Sequence, residues 1–332
     1  MKFFKRLLPL GLALSLLAGC AQTGGASSGL TPDEENIYVD QVTLEEIQIE
    51  DEAVALAGAP AALNDLVLPE ASGKQTKQNG RAVIDYSNVK DGYVMVKFTG
   101  TTKTRLKVQV AGPTPKLVYT YDLQEGVWTT FPLSDGNGSY TVTVLENTQN
   151  TSYAQVLSTS FRVTLADEFA PFLRPNQYVD YSVAPNAVAK AAELAGSETD
   201  ALKLVEIIYD YVVKNLTYDK HLAKTVKSGY LPVLDNVLAA QKGICFDYAS
   251  LMTGMLRSLG VPCKLVVGYA GKQYHAWINV WSEETGWVDG AIYFDGSVWQ
   301  RMDPTFASSG KSSESIMNYI GDGKNYTAKY LY

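Results

Sequence analysis

The chain has 332 residues, 46% of them hydrophobic and 19% charged, with a net charge of −7 at pH 7. That is enough apolar chain for two domains with cores of their own, and the acidic balance argues against nucleic acid and against electrostatic docking on anionic lipid. Three cysteines and two histidines, with no CxxC, argue against a disulfide scaffold and a zinc site, so neither metal nor cofactor is expected.

Residues 1–19 carry Lys2, Lys5 and Arg6, then an apolar run from Leu7 to Leu17, then small residues. The run is too short to cross a bilayer and stay there, so the segment is predicted to be an export signal. Its ending, LAGC, resembles the lipobox of bacterial lipoproteins. The resemblance implies cleavage before Cys20 and a diacylglycerol on that thiol, which would anchor the protein to the membrane outside the cytoplasm. The other reading is an ordinary secreted protein cut nearby. Losing Lys2, Lys5 and Arg6 takes the net charge from −7 to −10. Residues 20–79 are small, polar and acidic, with one weakly apolar patch from Val54 to Leu68. They are predicted to form a largely disordered tether, spanning on the order of 40 Å as coil.

Residues 80–166 change character. RAVIDYS, YVMVKFT, RLKVQVAG, KLVYTYDL, GVWTTFPL, SYTVTVLEN and YAQVLSTSFRVTL alternate with period two and are broken by KDG, GPTP, QEG and DGNG. Such regular short strands predict an immunoglobulin-like antiparallel β-sandwich. It lacks clustered acids or histidines, so a spacer or binding module is expected, and its tyrosines read as packing.

Residues 167–332 turn helical and then strand-like. APNAVAKAAELAG has proline near its start and glycine at its end. A capping box from Ser197 to Asp200 is expected to open the next helix, whose apolar face is Ala201, Leu204, Val205, Ile208, Tyr211 and Val212. In the third helix Tyr248, Leu251, Met252, Met255, Leu256 and Leu259 share a face, and Gly260 and Pro262 stop it. CKLVVGYA, HAWINVW and VWQRMDP then read as strands, giving an α+β domain.

Cys245 opens that third helix and Cys263 follows it. A helix over 245–259 is about 22 Å long, whereas a disulfide needs Cα atoms within about 7 Å, so the two thiols are expected to stay apart. Cys263 starts a buried strand and reads as inert. From there the chain returns about 23 Å to Tyr269, and the turn AGKQ delivers His275 near Cys245. If the strand ending at Asp303 pairs antiparallel with the strand starting at His275, Asp303 can orient the imidazole. A cysteine at a helix N-terminus has its thiolate favoured by the dipole. The Cys245 backbone N–H is a natural oxyanion donor, and the set suits acyl transfer from an amide. Asp247 reads as a cap for the helix start, and His221, beside Lys220 and Lys224, as solvent-exposed.

KGICFDYASLMTGMLRSLGVPCKLVVGYA, YHAWINVW and WQRMDPTF closely resemble the transglutaminase-like superfamily, a branch of papain-like cysteine enzymes. FLRPNQYVD and IIYDYVVKNLTYD resemble the entry segment of its bacterial members. The resemblance spans about Pro171 to Phe306 and implies Cys245 as nucleophile, His275 as general base and acid, and Asp303 as orienter. It also implies an oxyanion role for Tyr218, for which simple core packing is the competing reading. The segment SEETGWVDGAIYFDGS is longer than the family's usual hairpin. It is expected to form either a lip over the cleft or a packed surface hairpin, with Trp277, Trp287, Tyr293 and Phe294 as candidate lining residues.

Two functions follow from different classes. One is an extracytoplasmic cysteine enzyme acting on amide bonds of extracellular protein or peptide, as hydrolase or transferase. The other is a surface binding or scaffold protein that keeps the fold without turnover.

Overall fold

The computed structural model describes residues 66, 68–270, 272–282, 286–288, 292–294, 299–301 and 326–332. The export segment, Cys20, most of the tether and Asp303 lie outside them. No helix among the described residues is long and apolar enough to cross a membrane.

Eight strands build two four-stranded antiparallel sheets. The first pairs β1 (Thr76–Gln78), β2 (Ala82–Asp85), β3 (Tyr93–Phe98) and β6 (Thr129–Pro132) in that order. The second runs β5 (Val118–Leu123), β4 (Leu106–Ala111), β7 (Gly138–Gln149) and β8 (Ser152–Val163). Inward positions are buried, with Ile84, Val94, Val96, Phe98 and Phe131 on one sheet and Val108, Val110, Tyr121, Val142 and Val144 on the other. This is the β-sandwich that period-two alternation predicts. One strand departs from the reading: β1 falls inside the expected tether. Its three residues are all exposed, so it has no apolar alternation to show, yet it pairs with β2 from Thr76↔Asp85 to Gln78↔Val83.

Helices α1 (Pro185–Ala195), α2 (Ala201–Asn215), α3 (Leu222–Thr225), α4 (Leu234–Ala240) and α5 (Cys245–Ser258) follow. The strands β9 (Thr217–Tyr218) and β10 (Lys242–Gly243) form a short parallel pair between them. Asp200 alone caps α2, accepting the Lys203 N–H at 2.9 Å. The helix thus starts at the end of the expected capping box rather than behind Ser197. Helix α5 packs against α1, α2 and α4 on one side and against the sheet on the other. Burial therefore surrounds it, taking in Ser250 and Thr253 as well as Tyr248, Leu251, Met252, Met255 and Leu256.

The sheet under α5 has the order β13 (Gly286–Val288), β12 (Gln273–Ser282), β11 (Cys263–Ala270) and β16 (Tyr326–Leu331). The expected return strand and hairpin are present, with Cys263 opposite Val280 and Gly268 opposite His275. The strands β14 (Ile292–Phe294) and β15 (Trp299–Arg301) pair with each other. The strand expected to end at Asp303 and to pair with the His275 strand runs past the described residues. Within them, Trp299–Arg301 has β14 of the long insertion as a partner, and β13 takes the far end of β12 at Val280–Ser282.

The sandwich and the α+β part share side chains. Tyr121 of β5 lies 5.8 Å from the Tyr332 ring and 5.7 Å from Tyr178, and Tyr178 lies 4.3 Å from Tyr332. Gln177 brackets the Asp122 backbone, accepting its N–H at 3.2 Å and donating to its carbonyl at 3.0 Å.

Candidate active site

Cys245 is the first residue of α5, and it is partly exposed. Its helix start is organised by three neighbours. Ile244 occupies the N-cap position, where an apolar side chain has no acceptor to offer. Asp247, a turn later, accepts the Ile244 N–H at 2.7 Å, and its other oxygen accepts the Tyr230 hydroxyl at 2.7 Å. Asp247 is the cap that the sequence leads one to expect, but it is fully buried. Burial pushes its carboxyl up to about 6.

The segment before Cys245 is fixed from the opposite side. Gly243 pairs with Tyr218 in the β9–β10 ladder, and its carbonyl accepts the Asp219 N–H at 2.8 Å. Asp219 in turn bridges to Lys242 at 3.0 Å. The N–H of Leu222 and the Lys242 ammonium hold its carboxyl below the usual range. Tyr218, half-buried, thus stands in the ladder two residues before Cys245.

His275 lies near the start of β12 and is 3% exposed. Helix α5 packs on this strand. Burial pushes the phenol of Tyr274, the residue next to His275, above its ordinary range. The Tyr326 ring of β16 lies 6.4 Å from the imidazole and 5.1 Å from the Trp277 ring. Among the described residues no cluster of His, Cys, Asp and Glu is placed to hold a metal ion.

Cys245 and Cys263 are both free thiols. Cys263 is buried, in contact with the Thr253 hydroxyl at 3.5 Å, and burial pushes it up to about 11. His221 is exposed. The side chains of two expected cleft residues, Trp277 and Trp287, are described. Trp277 is buried, with its ring over Gly268. Trp287 pairs with Trp281 across β12–β13, about 20 Å along the strand from His275. There it packs on Phe169 and Phe172, with the Lys264 ammonium 3.5 Å from its ring centre. Tyr293 lies in β14, and its side chain is outside the described structure, as is Asp303.

Residues 188–304 match the family model of the transglutaminase-like superfamily, a span that takes in Cys245, His275 and Asp303. The chain carries a transglutaminase-like domain. Over 118 residues it is 28% identical to a protein-glutamine gamma-glutamyltransferase of Pseudomonas aeruginosa, covering 31% of this chain and 17% of that protein. The transglutaminase-like region thus corresponds to about one sixth of that relative's length. Among solved structures, the periplasmic domain of TgpA from Pseudomonas aeruginosa bound to ethylmercury aligns with 20% identity and a TM-score of 0.33, over 75% of this chain and 80% of that one. Red sea bream transglutaminase aligns with 16% identity and a TM-score of 0.26, over 64% of this chain and 48% of that one.

Reasoning from sequence missed three contributors to the site. Gly243 could have been noticed from its place in GIC, because a glycine just before a helix start often admits a close neighbour. Tyr230 and Tyr326 had no such signal, since neither stands in a periodic relation to Cys245 or His275.

Proposed function

We propose that the protein is an extracytoplasmic, lipid-anchored cysteine enzyme that attacks amide bonds of proteins or peptides through Cys245, His275 and Asp303. The observation that carries this reading is the partly exposed Cys245 at the first turn of a helix laid on the strand that bears His275. That pairing lies within the stretch that matches the superfamily.

In this mechanism His275 takes the proton of the Cys245 thiol, and the sulfur forms a bond to the amide carbon. The charge that develops on the carbonyl oxygen is met by the Cys245 backbone N–H, with Tyr218 as the second donor. The Ile244 N–H is already engaged by Asp247, so the Cys245 N–H is the donor placed beside the sulfur. The C–N bond then breaks, the leaving nitrogen takes the proton back from the imidazolium, and an acyl-thioester remains. Asp303 keeps the imidazole oriented and stabilises its cation. Water or an amine, deprotonated by His275, attacks the thioester and regenerates the thiol. The gamma-glutamyltransferase relative favours a glutamine side chain as acyl donor and an amine as acceptor. The lipid on Cys20 would hold the enzyme at the cell surface.

The test is iodoacetamide labelling of the mature protein near neutral pH, with the labelled peptide identified by mass. Cys245 should react well ahead of an unstructured thiol while Cys263 stays unmodified. Incubation with a peptide library, with and without a primary amine, then sorts the chemistry: amine adducts mean transferase, shortened peptides protease, and glutamine converted to glutamate deamidase. A Cys245 thiol of ordinary reactivity, together with no change of amide processing in Cys245→Ala, would leave the scaffold reading standing.

A further inference from the structure

A helix start is held by whatever satisfies its first backbone donors, and at Cys245 an unusually buried group does this. The Asp247 carboxylate joins two segments: one oxygen takes the Ile244 N–H, and the other takes the hydroxyl of Tyr230, from the loop between α3 and α4. Room for it exists because residue 243 is glycine, where a Cβ would stand 2.5 Å from that of Asp247. The Gly243 carbonyl is held from the other side by the Asp219 N–H. The backbone leading into Cys245 is therefore gripped from within and from without.

Helix capping alone does not require this. The exposed Asp200 caps α2 with one hydrogen bond and no burial, whereas the protein keeps Asp247 buried against the cost of desolvating a carboxylate. The extra contact obtained is the tie to Tyr230. We propose that Asp247 and Tyr230 are positioning residues for Cys245, fixing the path of Gly243–Ile244–Cys245 and thereby the aim of the thiol toward β12. This rests on the reading of Cys245 as the nucleophile. Neither residue is assigned a contact with substrate; both act through the backbone of the helix start.

The experiment measures the alkylation rate of Cys245 by iodoacetamide at neutral pH in the full mature chain, followed by peptide mass, beside the thermal midpoint of each protein. Asp247→Leu fills the space without polar atoms, and its Cys245 should react about tenfold more slowly or worse. Tyr230→Phe removes one hydroxyl and should slow the reaction at least about threefold. Asp247→Asn keeps an acceptor for the Ile244 N–H and gains an N–H that can donate to the Tyr230 oxygen. Its rate should stay within about threefold of wild type. A merely structural role would tie reactivity to the thermal midpoint, with no separate rescue by asparagine. The proposal is overturned if folded Asp247→Leu and Tyr230→Phe proteins alkylate at the wild-type rate, or if Asp247→Asn loses as much as Asp247→Leu. Should Asp247→Leu not fold, the proposal is overturned if Tyr230→Phe alkylates at the wild-type rate or if Asp247→Asn slows by about tenfold. A wild-type Cys245 no faster than an unfolded thiol overturns the nucleophile reading and this one together; fast wild type with unaffected variants overturns only this one.

Discussion

Asp247 is held at a thermodynamic cost that can be measured. Its carboxyl sits at about 6 in the folded protein against an ordinary 3.8, so the folded state binds that proton more tightly than the unfolded chain does. The sign follows from linkage: the contribution to stability is fully present below pH 3.8, declines as pH rises, and is lost above pH 6. The resulting penalty at neutral pH is on the order of 3 kcal/mol. Asp247→Asn lacks this titration, so the stability of wild type relative to that variant should fall between pH 4 and pH 6 by up to about that amount. Urea unfolding of both proteins across that range checks it, and parallel stability curves would refute it. The cap itself was legible, because an acid two residues after a helix-opening cysteine has few other uses. Its burial was not, since nothing along the string announces that Tyr230 will cover it.

At the scale of elements, the site depends on how closely β16 approaches β11. Gly268 lies opposite His275 on one side and Ala328 on the other, at a break in register. A Cβ there would come within 2.1 Å of the Thr327 carbonyl oxygen and 2.8 Å of the Trp277 ring. Gly268→Ala should therefore push β16 outward and cost about 1–3 kcal/mol. Denaturant unfolding gives the energy, and faster amide exchange across Tyr326–Leu331 than in wild type shows where it is lost. Unchanged exchange in that strand would mean that the sheet absorbs the methyl elsewhere. The strands with clean alternation and the cysteine helix could be read in advance, because each writes its own period into the sequence. The exposed Thr76–Gln78, the two-residue β9 and β10, and β16 could not. Their existence depends on a partner elsewhere in the chain, as with Gly243 opposite Tyr218. The same holds for Trp287: its aromatic character was visible, but the register that carries it to Phe169 and Phe172 was not.

For the molecule as a whole, the tyrosines change the standing of the sandwich, which sequence alone presents as a spacer or binding module. Tyr119 and Tyr121 of β5 meet Tyr330 of β16 and Tyr332 just past that strand, and Tyr178 stands between Tyr121 and Phe246, the neighbour of Cys245. Arg257, buried at the end of α5, donates to the carbonyls of Arg174, Cys263 and Tyr332 and draws the same region together. Two parts sharing a core should unfold as one. Calorimetry of the wild type should show a single transition, and Tyr178→Ala, at a cost of about 3–5 kcal/mol, should separate it into two. Two transitions already present in the wild type would show that the rings are in contact without coupling the parts. The pairing of β11 with β16 also bears on how the chain assembles. Helix α5 and the β11–β12 hairpin are local and can form early, but Ala270 meets Tyr326 only by closing a long loop. Until it does, β11 presents an unpaired edge, the kind of surface on which strands of other chains add. A chain stalled or clipped before Tyr326 would therefore not be simply a shorter protein; it would be a template for aggregation.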